Sequence, residues 1–154
     1  MRYPALLFLL AASSTHAAML EISVTEGGRA PEKFVYELNG ERQSLDLRDS
    51  HRYSAAFKDK TTNREICREA EYRTGMMMAL RDVEKVSGSQ YKIEIVGQLS
   101  TLEDMEVGEA LTCGVNQIPS LVNRAFSDTS VLEIDKTKIM VVDRNVTLLL
   151  TIRE

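Results

Sequence analysis

The sequence predicts a mainly β protein, an antiparallel sandwich or half-open barrel of about seven to nine strands held by one disulfide. Three observations carry this expectation. Apolar and polar residues alternate in run after run, turn residues separate the runs, and no segment keeps a clean helical stripe. Two cysteines, Cys67 and Cys113, supply the staple.

In chain order, Leu20 to Thr25 (LEISVT) alternates as a strand and is broken by Glu26-Gly27-Gly28. Lys33 to Leu38 (KFVYEL) runs into Asn39-Gly40, after which Glu41 to Leu47 alternates again. Asn-Gly between two such runs predicts a hairpin, since both residues tolerate positive φ. Arg48 to Asn63 is polar and broken, with room for a short strand within His51 to Phe57 and an exposed loop over residues 58–63.

The stretch EYRTGMMMAL (Glu71 to Leu80) admits two readings. Asn63 could cap a helix over Arg64 to Val86, built largely from good helix formers. Gly75 in its interior argues for a strand instead, with Tyr72, Thr74, Met76, Met78 and Leu80 on one face and Met77 on the other. The strand is preferred and the helix stays open. Ser87 to Gln90 then turns the chain into Tyr91 to Leu99, which places Ile93 and Ile95 on one face. Glu103 to Gln117, with Gly108 and Gly114, reads as a long loop holding Cys113. Ser130 to Ile134 is extended, Asp135 to Lys138 turns, and Ile139 to Val142 follows. Asp143-Arg144-Asn145 turns again into Val146 to Arg153, where Val146, Leu148, Leu150 and Ile152 share a face.

The first residues, MRYPALLFLLAASSTHAAM, have the layout of a secretory signal peptide. Arg2 is the positive end, Ala5 to Ala12 is an apolar run too short to span a bilayer, and small residues at Thr15 and Ala17 precede the cut. The expectation is therefore a leader over residues 1–17 and a single exported β domain over 18–154. No cysteine lies near the cut, so a lipid anchor is not indicated. Removing Arg2 leaves 18 basic against 23 acidic residues without a basic cluster, which disfavours nucleic acid and anionic membrane surfaces as partners. No later apolar run approaches a membrane span.

Two cysteines in an exported chain are expected to bond to each other. Other chemistry is thinly represented. Asp49-Ser50-His51 contains the residue types of a hydrolase triad, but Ser50 lacks a nucleophile elbow and neighbours in sequence seldom give that geometry. Glu103, Asp104, Glu106 and Glu109 form an acidic run without the ligand spacing of a calcium loop. Asn145-Val-Thr147 is a glycosylation sequon. The methionines offer a Cu(I) alternative in which Met76 and Met78 converge with His51, Met105 or Met140. Methionine is equally a filler of cores, so neither a metal nor another cofactor is expected.

One pattern resembles a known family. A glycine-led strand, YRTGMMMALRDV, is followed by a turn and by YKIEIVGQLSTLE. Next come a loop with Pro119 and the segment NRAFSDTSVLEIDKTKIMVV. This order is similar to the β-rich carboxy-terminal domain of bacterial secretins, the outer-membrane channels of secretion systems and pili. The matching positions are Gly75, Ser100, Arg124, Thr129 and the turn at Asp135 to Lys138, and EGGRAPEKFVYELNGERQSLDL looks like the family's glycine-turn hairpin. The ring-forming amino-terminal modules and the family's Gly-Gly-Leu are absent, with AspArgAsnValThr in place of the latter. A cysteine pair also departs from the family.

The resemblance implies a small β protein of the bacterial envelope, in the periplasm or at the outer membrane, that accompanies a secretion, pilus or conjugation apparatus. The expected function is non-catalytic binding or assembly, with an envelope protein or a second copy as partner and strand addition as the mode. The alternative is a small exported hydrolase or copper-binding protein.

Overall fold

A computed structural model describes residues 17–154. The leader expected over residues 1–17 lies, except for its last residue, outside the described residues. Eight strands and no helix are present among those described: β1 (Met19–Glu26), β2 (Glu32–Glu37), β3 (Gln43–Lys58), β4 (Glu65–Ser87), β5 (Gln90–Leu111), β6 (Gly114–Glu133), β7 (Thr137–Asp143) and β8 (Val146–Arg153). They form two four-stranded sheets, ordered β2-β1-β8-β7 and β3-β4-β5-β6, with every neighbouring pair antiparallel. The predicted all-β fold, its strand number and its disulfide are all present, and neither sheet closes into a barrel.

The core lies between the sheets because period-2 alternation sends every second side chain inward. From the short sheet come Leu20, Ile22 and Val24 on β1 and Val146, Leu148, Leu150 and Ile152 on β8. The long sheet answers with Leu45, Met76, Met78, Leu80, Tyr91, Ile93, Ile95 and Leu99. Phe34, Tyr36, Met140, Val142 and Phe126 close the flanks. EYRTGMMMAL is thus strand, with Met76 and Met78 buried and Met77 exposed on the outer face. The helical alternative over Arg64 to Val86 is excluded. Asn63, its proposed cap, instead turns the chain in the left-handed region at φ 55.

Three expectations about loops are corrected. Residues 48–58 are continuous β3, and residues 103–117, read as a loop, are the ends of β5 and β6 around a short turn. These segments lack clean apolar alternation because no second sheet covers them, so their strand character comes from main-chain pairing alone. The Asn39-Gly40 turn is real, with Gly40 at φ 79, but its strands do not form a hairpin. β2 pairs with β1 while β3 pairs with β4, so this turn carries the chain from the short sheet to the long one. Asp82 fixes the crossing by accepting the Gly40 N–H at 2.7 Å.

Candidate functional site

The long strands outrun the short sheet, and what they do beyond it is the most distinctive geometry in the molecule. Backbone pairing of β4 with β5 starts at the Ser87–Gln90 turn and ends at Gly75 opposite Ser100. Past that point β3–β4 and β5–β6 continue as two separate two-stranded ribbons. Each extends for roughly ten residue pairs, about 33 Å at the strand rise. Gly75 sits at this fork with φ 114, where a Cβ would stand 2.5 Å from the Leu47 carbonyl oxygen. Only glycine combines that conformation with that close approach. Ser100, buried at the same level on β5, donates to Asn123 Oδ1 on β6 at 2.6 Å and so ties the third strand of the row to the fourth.

The ribbons meet again at their tips. Cys67 on β4 is bonded to Cys113 in the β5–β6 turn, as the sequence predicted. Around the bond lie three further ties. The Ser54 N–H donates to Gln117 Oε1 at 2.9 Å, and the Ala56 N–H donates to Asn116 Oδ1 at 3.0 Å. Thr112 donates both its N–H, at 2.9 Å, and its hydroxyl to Glu65 Oε2. These donors hold the Glu65 carboxyl below its ordinary range, the hydroxyl contributing most. Ala56 is buried beneath the joined tips.

Ser54 and Ala56 belong to the outer edge of β3. An edge strand exposes alternate N–H groups, and here those groups bond to side-chain amides instead of to another strand. Nearer the fork, Arg48 shares their parity, and its N–H donates to Asp46 Oδ1 at 3.2 Å. The Arg48 guanidinium also grips Asp46, at 2.8 and 2.6 Å, and this pulls the Asp46 carboxyl down to about 2. By the same alternation the Ser50 and Arg52 N–H groups point outward between these two caps.

The candidate catalytic residues are dispersed. Adjacent strand residues face opposite ways, so Ser50 donates to Glu71 Oε2 while His51 turns to the other side. There the His51 ring stacks on Tyr72 at 5.0 Å and its Nε2 lies 2.7 Å from Thr74 Oγ1. Asp49 faces Arg29 across 3.9 Å. Met76 and Met78 lie in the core, opposite Leu47 and Leu45, whereas His51 is four positions further along β3, about 13 Å by strand rise. Met105 is on the β5–β6 ribbon and Met140 on β7, so the methionine and histidine set is not brought together. Glu103, Asp104, Glu106 and Glu109 all lie exposed along the β5 ribbon. Among the described residues no group of three His, Cys, Asp or Glu side chains is arranged to hold a metal ion. No helix among them is long and apolar enough to cross a membrane.

The sheet edges are the remaining candidate. Val35 on β2 is 58% exposed, and Ile139 and Val141 on β7 are 65% and 68% exposed. Register places all three on the outer face of the short sheet, in rows through Glu21–Thr151, Ser23–Leu149 and Thr147. Its two opposite edge strands therefore carry large apolar groups on one face. Sequence reading missed this pairing of edges, and it also missed Asn116, Gln117, Glu65 and Thr112. For the last four the available signal was Cys113 itself, because a bridge to Cys67 must bring its neighbours onto the β3–β4 ribbon. No family model, no curated protein and no solved structure matches the chain.

Proposed function

We propose that this protein is a non-catalytic assembly module of the bacterial envelope that associates edge to edge through its sheets, with a second copy as the first partner. The observation that carries the reading is the exposure of Val35 on one edge strand and of Ile139 and Val141 on the other, all on the same face of the short sheet. Each sheet has an even number of strands, all antiparallel, so its two edges run in opposite directions. A copy set alongside would continue both sheets antiparallel, β6 against β3 and β7 against β2. Val35 would then lie diagonal to Ile139, one same-face row away, with Val141 a row beyond, and apolar surface would leave water. Repetition of such a head-to-tail contact gives rings or filaments. The resemblance to secretin wall segments points to the same class of role, and its positions Gly75 and Ser100 fall opposite each other at the fork.

Sedimentation of residues 18–154 across a wide concentration range tests the reading. Mass should rise with concentration, and Ile139→Lys combined with Val141→Lys should keep the protein monomeric. A wild-type protein that stays monomeric throughout, and that cross-links to no envelope protein in cells, overturns it.

A further inference from the structure

The β3 edge is occupied by the protein's own side chains at the place where a neighbouring copy would pair. Leu45, Met78, Gly97 and Phe126 form one row across the long sheet. Ser54 lies nine positions from Leu45 towards the tip of β3, and Gln117 lies nine positions from Phe126 towards the tip of β6. In a second copy placed alongside without stagger, a β6 continued straight past the fork would bring its Gln117 level with Ser54, once that tip had left its own β3 edge. Within one molecule that position is already filled, because Gln117 and Asn116 accept the Ser54 and Ala56 N–H groups. An amide side chain offers the same acceptor, a carbonyl oxygen, that an added strand would offer from its main chain.

We infer that Asn116 and Gln117 form an edge lock, an autoinhibitory contact that keeps the outer half of β3 from accepting a strand until the β5–β6 tip moves away. The inference rests on the edge-to-edge reading above and adds the device that limits it. The Cys67–Cys113 bond pins the tip in the locked position, and the Thr112–Glu65 contact steadies it. The inner part of β3, with the Ser50 and Arg52 N–H groups pointing outward, stays available for a first contact. Pairing would start near the fork and advance toward the tip only by displacing the two amides.

The test compares wild type with N116A/Q117A and with N116D/Q117E, whose carboxylates retain an acceptor oxygen in place of each amide. Amide hydrogen exchange at Ser54 and Ala56 is one readout. Binding of a synthetic peptide of residues 115–131, a soluble stand-in for the neighbour's β6, is the other. In N116A/Q117A exchange at both amides should accelerate and the peptide should bind about tenfold more tightly, the effect of freeing donors otherwise held. N116D/Q117E should behave as wild type. Unchanged exchange in N116A/Q117A overturns the lock, as does faster exchange with equal peptide binding. Self-association of the wild type is scored separately. A peptide effect without self-association would leave the lock standing and refute the copy-to-copy reading.

Discussion

The ribbons continue the same four long strands that form one sheet of the sandwich, yet different forces hold the two regions. In the sandwich, Met76, Met78, Leu80, Ile93 and Ile95 are covered by β1 and β8, and burial of apolar surface dominates. Past Gly75 and Ser100 the same strands leave that cover. Charged pairs such as Arg52 with Glu69 and Glu71 lie exposed at 3.7 and 3.6 Å, and contribute little. An isolated two-stranded ribbon is marginal in water. The two ribbons persist because one covalent bond and a few hydrogen bonds close their far end into a loop. The lesson is that strand length and strand stability are set separately: pairing extends the strands, and burial or cross-linking keeps them.

The largest effect should come from breaking the tip. Replacing Cys67→Ser together with Cys113→Ser releases a cross-link spanning 46 residues, about 4 kcal/mol by chain-entropy arithmetic. Hydrogen exchange should rise first in residues 49–74 and 101–122 while the sandwich stays protected. Uniform loss of protection across both regions would show that they are one cooperative unit. The sandwich is probed by Leu150→Ala, a fully buried β8 side chain, which should cost about 3 kcal/mol in urea denaturation. Here the ribbons should lose protection only together with the sandwich.

A third substitution addresses the boundary. Gly75→Ala must hold a Cβ at φ 114 within 2.5 Å of the Leu47 carbonyl, and should cost about 1–3 kcal/mol by thermal or chemical denaturation. A neutral result would mean that the fork relaxes freely. The smallest effect is acid sensitivity. Glu65 and Asp46 both have carboxyls lowered in the folded protein, by the Thr112 hydroxyl and the Arg48 guanidinium respectively. A lowered carboxyl stabilises the fold above its ordinary value, 4.5 for Glu65 and 3.8 for Asp46. That contribution fades as pH falls through the folded value, about 2 for Asp46. Carboxyl resonances followed by NMR should show Asp46 titrating near 2, and the tip amides of Thr112 should shift as Glu65 protonates.

The boundary between the two regions is also the boundary of what the sequence made legible. Where two sheets face each other, alternation is enforced, and Ile93, Ile95, Leu148 and Leu150 were placed correctly from their spacing. Where strands are covered on neither side, Glu103, Asp104 and Glu106 can follow one another without cost, and the pattern that marks a strand disappears. The Asn39-Gly40 turn was legible as a turn but not as a crossing between sheets, because local dihedral preference says nothing about which strand pairs with which. The bridge was readable from the cysteine count together with the expectation of export. Asn116 and Gln117 were not, since an amide in a polar stretch carries no period.

One consequence follows from the centre of the short sheet, where β1 is flanked by β2 and β8. Val146–Arg153 is the strand that pairs β1 along its full length, from Met19 against Arg153 to Glu26 against Val146. During synthesis the long sheet can form from consecutive hairpins, each strand meeting the one just made. The short sheet cannot be completed that way, because its β1–β2 and β7–β8 hairpins join only when β1 meets a strand more than a hundred residues downstream. Folding is thus ordered in time, with local pairing early and the high-separation contact last. Until Val146–Arg153 arrives, the inner face of the long sheet lacks the cover of Val146, Leu148, Leu150 and Ile152, and the incomplete chain carries exposed core as a period of vulnerability to aggregation.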